Sequence, residues 1–513
     1  MQGKEQNRIQ RMVAVTCCVV ICALAFLTIT LTASNAQAGP WIDPGDETLR
    51  HHIQVLSDAG VIGVPVTTWP LMWSGIKQDL EQANPSTLSA AQALSLQYVS
   101  FALRRDTGDG VRWRWRGDLR EQPHLFTDFA DSQRDQAETS LSADWMGKHF
   151  AGRLQVGYTD DANDDDDLKL DGSYASFVLG NWAFTAGAVE RWWGPGWQNN
   201  LILGTNARPA PSLSLQRNHS AAFDTPWLAW IGPWHLETFM ARLENDRHVS
   251  HALLWGLRFT FRPIDALEIG LTRTAQWGGE DRPDGLSTFT DLLMGKDNRD
   301  EGGFDQSNEP GNQLGGLDWR LSGTLFGNTG VGFYGQWIGE DESNFQPSRF
   351  TMLMGLDASL IGPNLHQRFY LELADTTAEG FKGSASDRPN YAYEHSIYRS
   401  GYRYRNRAIG AATDNDSRMV TLAHDLFVGD DHQFSWSVSR VELNRDGTDA
   451  NAPGGNTLSR NRRTDLWLAD ARYSILINPW QLTLGLDYQS EDLTYADDTI
   501  GGTGVYFAWE GRW

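Results

Sequence analysis

From about Val111 to the last residue, Trp513, the chain repeats short segments in which every second side chain is apolar. Trp480, Leu482, Leu484, Leu486 and Tyr488 alternate with Gln481, Thr483, Gly485, Asp487 and Gln489. Leu253, Trp255, Leu257, Phe259 and Phe261 alternate with Leu254, Gly256, Arg258, Thr260 and Arg262. A period of two describes a strand with two unlike faces. The polar partners include Arg, Asp, Gln and Ser, which suit a wet interior better than the apolar second layer of a sandwich. The closing residues keep the pattern: Val505, Phe507, Trp509 and Trp513 point one way, and Tyr506, Glu510 and Arg512 the other. Such a strand, ending on an aromatic residue, closes an outer-membrane barrel; alone, it would serve equally as a sandwich edge.

Connection lengths decide between the two. Tight turns fall near Asn478-Pro479, Gly429-Asp430, residues 361–365, Gly327-Asn328, residues 262–265 and 231–233, Gly180-Asn181 and residues 146–148. Between them lie longer polar connections at 491–501, 443–463, 375–416, 340–348, 276–314, 244–250, 191–211, 160–171 and 121–136. Short and long alternate without a break if residues 398–407 stay inside a long loop. The count is then 18 strands with both barrel ends on the short-turn side. The expected fold is mainly β, an 18-stranded antiparallel transmembrane β-barrel over residues 109–513, with short turns in the periplasm and long loops outside.

Residues 1–38 read as a signal peptide. Lys4, Arg8 and Arg11 precede an apolar run from Val13 to Leu31, and Ala36-Gln37-Ala38 offers a cleavage site; an uncleaved anchor is the alternative. Cys17, Cys18 and Cys22 all lie in this leader, so the remainder has no thiol for a disulfide or metal. No later apolar run is long enough for a membrane helix. A formal net charge of −22 argues against nucleic acid as a partner. Residues 39–108 have helical spacing instead. Asp43-Pro44-Gly45-Asp46-Glu47 starts one helix, with Leu49, Ile53 and Leu56 on its face and Gly60 as C-cap. A second runs from Thr68-Trp69-Pro70 through Ile76 and Leu80, and a third follows Ser89. A core this small is marginal alone and leans on the larger domain.

An 18-stranded barrel holds an aqueous interior unless something fills it, so function resides in the lumen, the plug or the loops. Residues 190–213 are densest, with Trp192, Trp193 and Trp197 among Gly and Pro, followed by Asn206 and Arg208. Aromatic faces stack on sugar rings while Asn and Arg bond hydroxyls; the competing reading is an aromatic belt or an infolded loop packed on the wall. Tyr398, Arg399, Tyr402, Arg403, Tyr404, Arg405 and Arg407 gather cations and aromatics in an acidic protein. They could bind an acidic glycan, or neutralise nearby acidic loops or lipopolysaccharide phosphates. The run of aspartates at 160–167 lacks the spacing and glycine of a calcium loop. Arg112, Arg114 and Arg116 form a basic ladder that could face anions or pair with the helices. We find no Gly-x-Ser-x-Gly, no His-Glu-x-x-His and no P-loop, and expect no catalytic residue, metal or cofactor.

Several blocks resemble the Wzi family of outer-membrane capsule assembly proteins. They are residues 46–62, Pro65-Val-Thr-Thr-Trp-Pro-Leu71, Arg191-Trp-Trp-Gly-Pro-Gly-Trp197, Asn206-Ala-Arg-Pro209 and residues 398–410. The resemblance implies an 18-stranded barrel with a small α-helical domain at its periplasmic end. It also implies a surface lectin that helps attach and organise capsular or related extracellular polysaccharide. A porin-like channel for small solutes is the alternative reading. Outer-membrane lipid and lipopolysaccharide are the expected surroundings, and a periplasmic partner for the helices stays open.

Overall fold

Eighteen strands pair antiparallel with their sequence neighbours and close into one barrel. The structure is a computed structural model. It describes residues 41–513 except 131–132, 161, 165, 294–310, 326–328, 341–348, 363–364, 381–388, 430, 450–452 and 497. The expected leader, residues 1–38, lies outside the described residues. The seam joins the last strand, Asp498–Arg512, to the first, Val111–Arg120, in a register running from Tyr506↔Arg120 to Arg512↔Arg114. Among the described residues the barrel sheet has no free edge for another chain to extend.

The two strand faces differ as the alternation requires. Leu271, Leu356, Leu484, Leu486, Val505 and Phe507 are exposed on the outside, where lipid covers them. Inward positions carry Glu237, Arg258, Glu268, Asp318, Arg320, Gln336, Asp357, Arg368 and Glu372, all buried. Buried charges need partners, and these find them partly on one another, as in Arg258–Asp318 and Arg368–Asp357, and partly on chain that fills the lumen.

That filling begins with three helices, α1 (Glu47–Asp58), α2 (Trp73–Gln82) and α3 (Ala90–Asp106). The Asp46 carboxylate accepts the Leu49 amide at 3.0 Å, which caps α1, and Gly60 beyond its end takes φ +71°. Ser89 and Gln92 form a capping box at α3. Helix α1 lies inside the barrel: only Glu47 and Thr48 at its start are not buried. Its Asp58 meets Arg320 at 3.6 Å, and Glu47 pairs with Arg472 at 2.8 Å. Residues 62–68 are bound to the wall as well. Glu268 accepts the Val66 and Thr67 amides at 2.9 Å, and Arg258, paired with Asp318, donates to both Thr67 and Thr68.

Three local expectations are corrected. Thr68–Trp69 is a two-residue strand, not the start of a helix. The connection expected at 491–501 is two residues long, because Trp480–Tyr495 and Asp498–Arg512 stay paired past a bulge after Gln489. The turn expected near 231–233 is instead the end of a connection that spans residues 218–233.

Candidate functional site

Residues 191–207 fold inward from the long-loop end. Trp192–Trp193 pairs with Thr68–Trp69, tying this loop to the N-terminal segment inside the lumen. Wall carboxylates then take up its backbone. Glu372 accepts the amides of Trp197 at 2.8 Å and Asn199 at 2.7 Å, and the Tyr334 hydroxyl at 3.0 Å. Gln336 accepts the Leu201 amide and donates to the Trp193 carbonyl. Glu237 binds Arg191 at 2.7 Å and the Trp193 indole at 3.1 Å. A carboxylate holding several amides fixes a loop that has no secondary structure of its own.

Trp192, Trp193 and Trp197 are therefore buried side chains here. The Trp197 ring meets two guanidiniums, Arg50 at 4.0 Å and Arg368 at 4.4 Å from its centroid. Arg50 also donates to the Pro195 and Gly196 carbonyls. Gly196 is required by close approach, since a Cβ there would sit 2.0 Å from the Asn199 carbonyl oxygen. Asn206 is buried, donating to the Ala408 carbonyl, while Arg134 caps its own carbonyl at 2.9 Å. Arg208 is largely covered within the loop layer, where it binds Asp171 at 2.7 Å and Asp164 at 2.6 Å.

The second predicted cluster stands above the first. A two-residue hairpin, Arg403–Tyr404 with Arg407–Ala408, shapes its tip. Tyr398, Tyr402, Arg403 and Tyr404 are buried, and Tyr398 donates to the Gly278 carbonyl at 3.1 Å. Arg403 is held by Asp414 and Glu394. Burial opposes charge on Arg403, yet these two carboxylates outweigh it and raise the guanidinium pKa. Arg405 is half-buried and pairs with Asp166 at 2.6 Å. Thus Arg208 and Arg405 from separate loops both grip the aspartate run. Arg399 differs. It is half-exposed, and among the described residues the one hydrogen bond of its guanidinium runs to the Ser396 carbonyl at 3.3 Å.

Between plug and wall lie His51, His52 and His366, whose ligand-capable atoms all fall within 4.8 Å of one another. Arg368 donates to His51 Nδ1 at 3.2 Å, placing a guanidinium where a metal ion would have to approach. Burial, then the Arg368 charge, lowers the His51 pKa well below its usual value. His51 also packs on Phe427 and His52 on Tyr98, so we read the cluster as neutral packing. A cavity of about 90 Å³ remains beside the plug, lined by Gln122, Asp128, Tyr370, Asp425 and Arg472, with room for a few waters. Sequence reasoning missed the wall residues Glu237, Glu268, Gln336 and Glu372. Their one signal was a carboxylate or amide at an inward, mid-strand position.

The fold and its loop-filled lumen define an outer-membrane β-barrel of the plugged kind. Residues 118–499 match the model of the capsule assembly protein Wzi family, and the chain belongs to that family. It is 34% identical over 372 residues to an uncharacterized 55.8 kDa protein in the cps region of Klebsiella pneumoniae, covering 70% of this chain and 71% of that one. Among solved structures it is similar to Wzi of Escherichia coli, an outer-membrane carbohydrate-binding β-barrel involved in group 1 capsule assembly. The TM-score is 0.77 at 28% identity, covering 92% of this chain and 99% of that one.

Proposed function

We propose that this protein binds capsular or other extracellular polysaccharide at the cell surface and helps attach and organise it, without catalysing a reaction. The observation that carries this reading is the filled lumen. Helix α1 and residues 191–207 occupy the space that a porin-like channel would leave open: the wall residue Glu372 binds backbone amides of 191–207, and the wall residue Arg320 meets Asp58 of α1. A polymer then meets the loop end. The carbohydrate-binding relative from Escherichia coli supports the same ligand class. In this reading the long loops face outward among lipopolysaccharide, and the short turns and helices face the periplasm, open to a partner there. Residues 1–38 are the removed signal, 39–108 the helical domain and 109–513 the barrel.

Of the predicted site residues, we assign direct glycan contact to Arg399 and Arg405, the two half-exposed cations of the upper loop. Trp192, Trp193, Trp197, Asn206, Tyr398, Tyr402, Arg403 and Tyr404 hold the loops that present them, and Arg208 clamps the aspartate run. The test is a deletion strain scored for cell-bound against shed polysaccharide, complemented by the wild-type chain. Loss of cell-bound polymer is expected; unchanged retention removes the capsule role. Purified protein in a planar bilayer should carry no large, stable current, and such a current would instead support the channel reading.

A further inference from the structure

At the short-turn end, seven of the eight connections are two or three residues long, whereas the eighth spans residues 218–233. Its sequence, Asn-His-Ser-Ala-Ala-Phe-Asp-Thr-Pro-Trp-Leu-Ala-Trp-Ile-Gly-Pro, has Asp224 as its one acidic group. Both ends are pinned. Asn181 donates to the His219 carbonyl and accepts the His219 amide, and Arg217 donates to the Ala221 and Trp234 carbonyls. At the far end Gly232 adopts φ +69°, and the Arg262 amide donates to the Pro233 carbonyl. Between the pins a short 3-10 turn, Ala229–Ile231, holds the segment in shape.

This segment leaves its apolar side chains uncovered. Trp227 is 73% exposed and Trp230 64%, above every other exposed tryptophan among the described residues. Exposure alone would not name an occupant, but the neighbours do. Trp230 meets Phe261 edge-on at 6.3 Å, and Phe261 packs on Phe259, which meets Trp234. Phe259 and Phe261 alternate with the buried, inward Arg258, Thr260 and Arg262, so they stand on the lipid-facing side of the wall. The aromatic surface of the segment therefore continues the surface that the bilayer already covers. Indole rings prefer the headgroup layer, with the ring toward the chains and the N–H toward water.

We propose that residues 221–231 form an interfacial flap that lies in the headgroup layer at the short-turn end, with Trp227 and Trp230 as its lipid anchors. The occupant is membrane phospholipid. The flap thereby ties α2 to the membrane surface, because Ser74 of that helix bonds Asn218 at the flap base.

All three cysteines precede residue 23, so site-directed labelling is direct once Cys17, Cys18 and Cys22 are changed to alanine in the full-length chain. Trp227→Cys and Trp230→Cys each receive a nitroxide in vesicles of phosphatidylethanolamine and phosphatidylglycerol. Power saturation compares lipid-soluble oxygen with a water-soluble nickel chelate. Leu271→Cys, on the lipid-facing wall, and Lys148→Cys, in a two-to-three-residue turn, set the limits. The oxygen-to-chelate ratio at both flap sites is expected to exceed that at Lys148 several-fold. A ratio equal to that at Lys148 overturns the proposal, as does shielding from both reagents, which would mean protein covers the flap. Heat-modifiable gel mobility confirms that each variant has assembled its barrel, and a wall site that stays normal separates flap failure from misfolding.

Discussion

The two aromatic loops that stand out in the sequence are held by different partners. Residues 191–207 give backbone amides to Glu372 and the Arg191 and Trp193 side chains to Glu237, both on the barrel wall, and lose solvent contact. Residues 395–407 give their guanidiniums to carboxylates of other loop segments, namely Glu394, Asp414 and Asp166. The first loop is therefore part of the plug, and its tryptophans act as packing. The second is braced from within the loop layer, which leaves Arg399 and part of Arg405 toward solvent. Similar composition yields opposite roles because the inward face of the barrel offers acceptors to one and not to the other.

The largest effect should come from the plug. Trp193→Ala removes a fully buried ring and its bond to Glu237, and should cost about 3–5 kcal/mol of plug stability. Guanidinium unfolding followed by proteolysis at residues 191–207 reads this directly. If polysaccharide retention falls while the plug keeps wild-type protection, Trp193 touches the glycan and the comparison breaks. Glu372→Ala should cost less, about 2–3 kcal/mol, by orphaning the Trp197 and Asn199 amides. Stable conductance should appear in that variant while the barrel stays heat-modifiable. A closed bilayer trace would show that wall carboxylates are not what holds the plug.

The strand plan was legible because lipid outside and polar chain inside impose strict alternation over hundreds of residues. The turns at Asn478-Pro479 and Gly180-Asn181 stand where expected. Where alternation stops carrying information, the reading failed. Residues 491–501 look like a loop because a strand that projects beyond the bilayer has water on its outer face and needs no apolar residue there. Residues 218–233 look like strand because the flap is apolar. Whether Trp192, Trp193 and Trp197 face in or out was not legible, since it depends on carboxylates brought from strands far away in sequence. Gly194-Pro195-Gly196, which permits the tight inward turn, was the local hint.

The plug, through helix α1, and the upper loop should also answer pH with opposite sign. Burial, then Arg368, depresses His51, and burial, then His366, depresses His52, both well below 6.5. The unfolded state then binds more protons below that value, so plug docking is stable above about pH 6.5 and weakens as pH falls. Asp416 in the upper loop is pushed up to about 7 by burial, and then by Asp446, Glu394 and Asp414, against the opposing Asn390 amide. Its neutral form is the favoured one, so that contribution is full below pH 3.8 and is lost as pH rises through 7. Amide protection at α1, taken relative to the intrinsic exchange rate at each pH, should fall toward pH 5, whereas protection at residues 389–417 should fall above pH 7. Asp416→Asn should flatten the second trend and leave the first. A shared trend in both regions would mean that plug and upper loop respond as one body.

The smallest stability effect belongs to the residues assigned to the glycan. Arg399→Ala removes one exposed bond to the Ser396 carbonyl, and Arg405→Ala a partly exposed ion pair with Asp166 and a longer one with Asp164. Together they should cost no more than about 1 kcal/mol, since such contacts are solvated and screened. Retention of polysaccharide should nevertheless fall several-fold in the double variant, with the plug protected as in wild type. That pairing of outcomes is the inverse of Trp193→Ala, and it separates a residue that touches polymer from one that shapes the surface. If the double variant retains polymer normally, Arg405 serves only to balance the aspartate run and Arg399 has no part in binding. Glycan contact would then have to be sought among the uncharged exposed side chains beside them, such as Ser396 and Asn406.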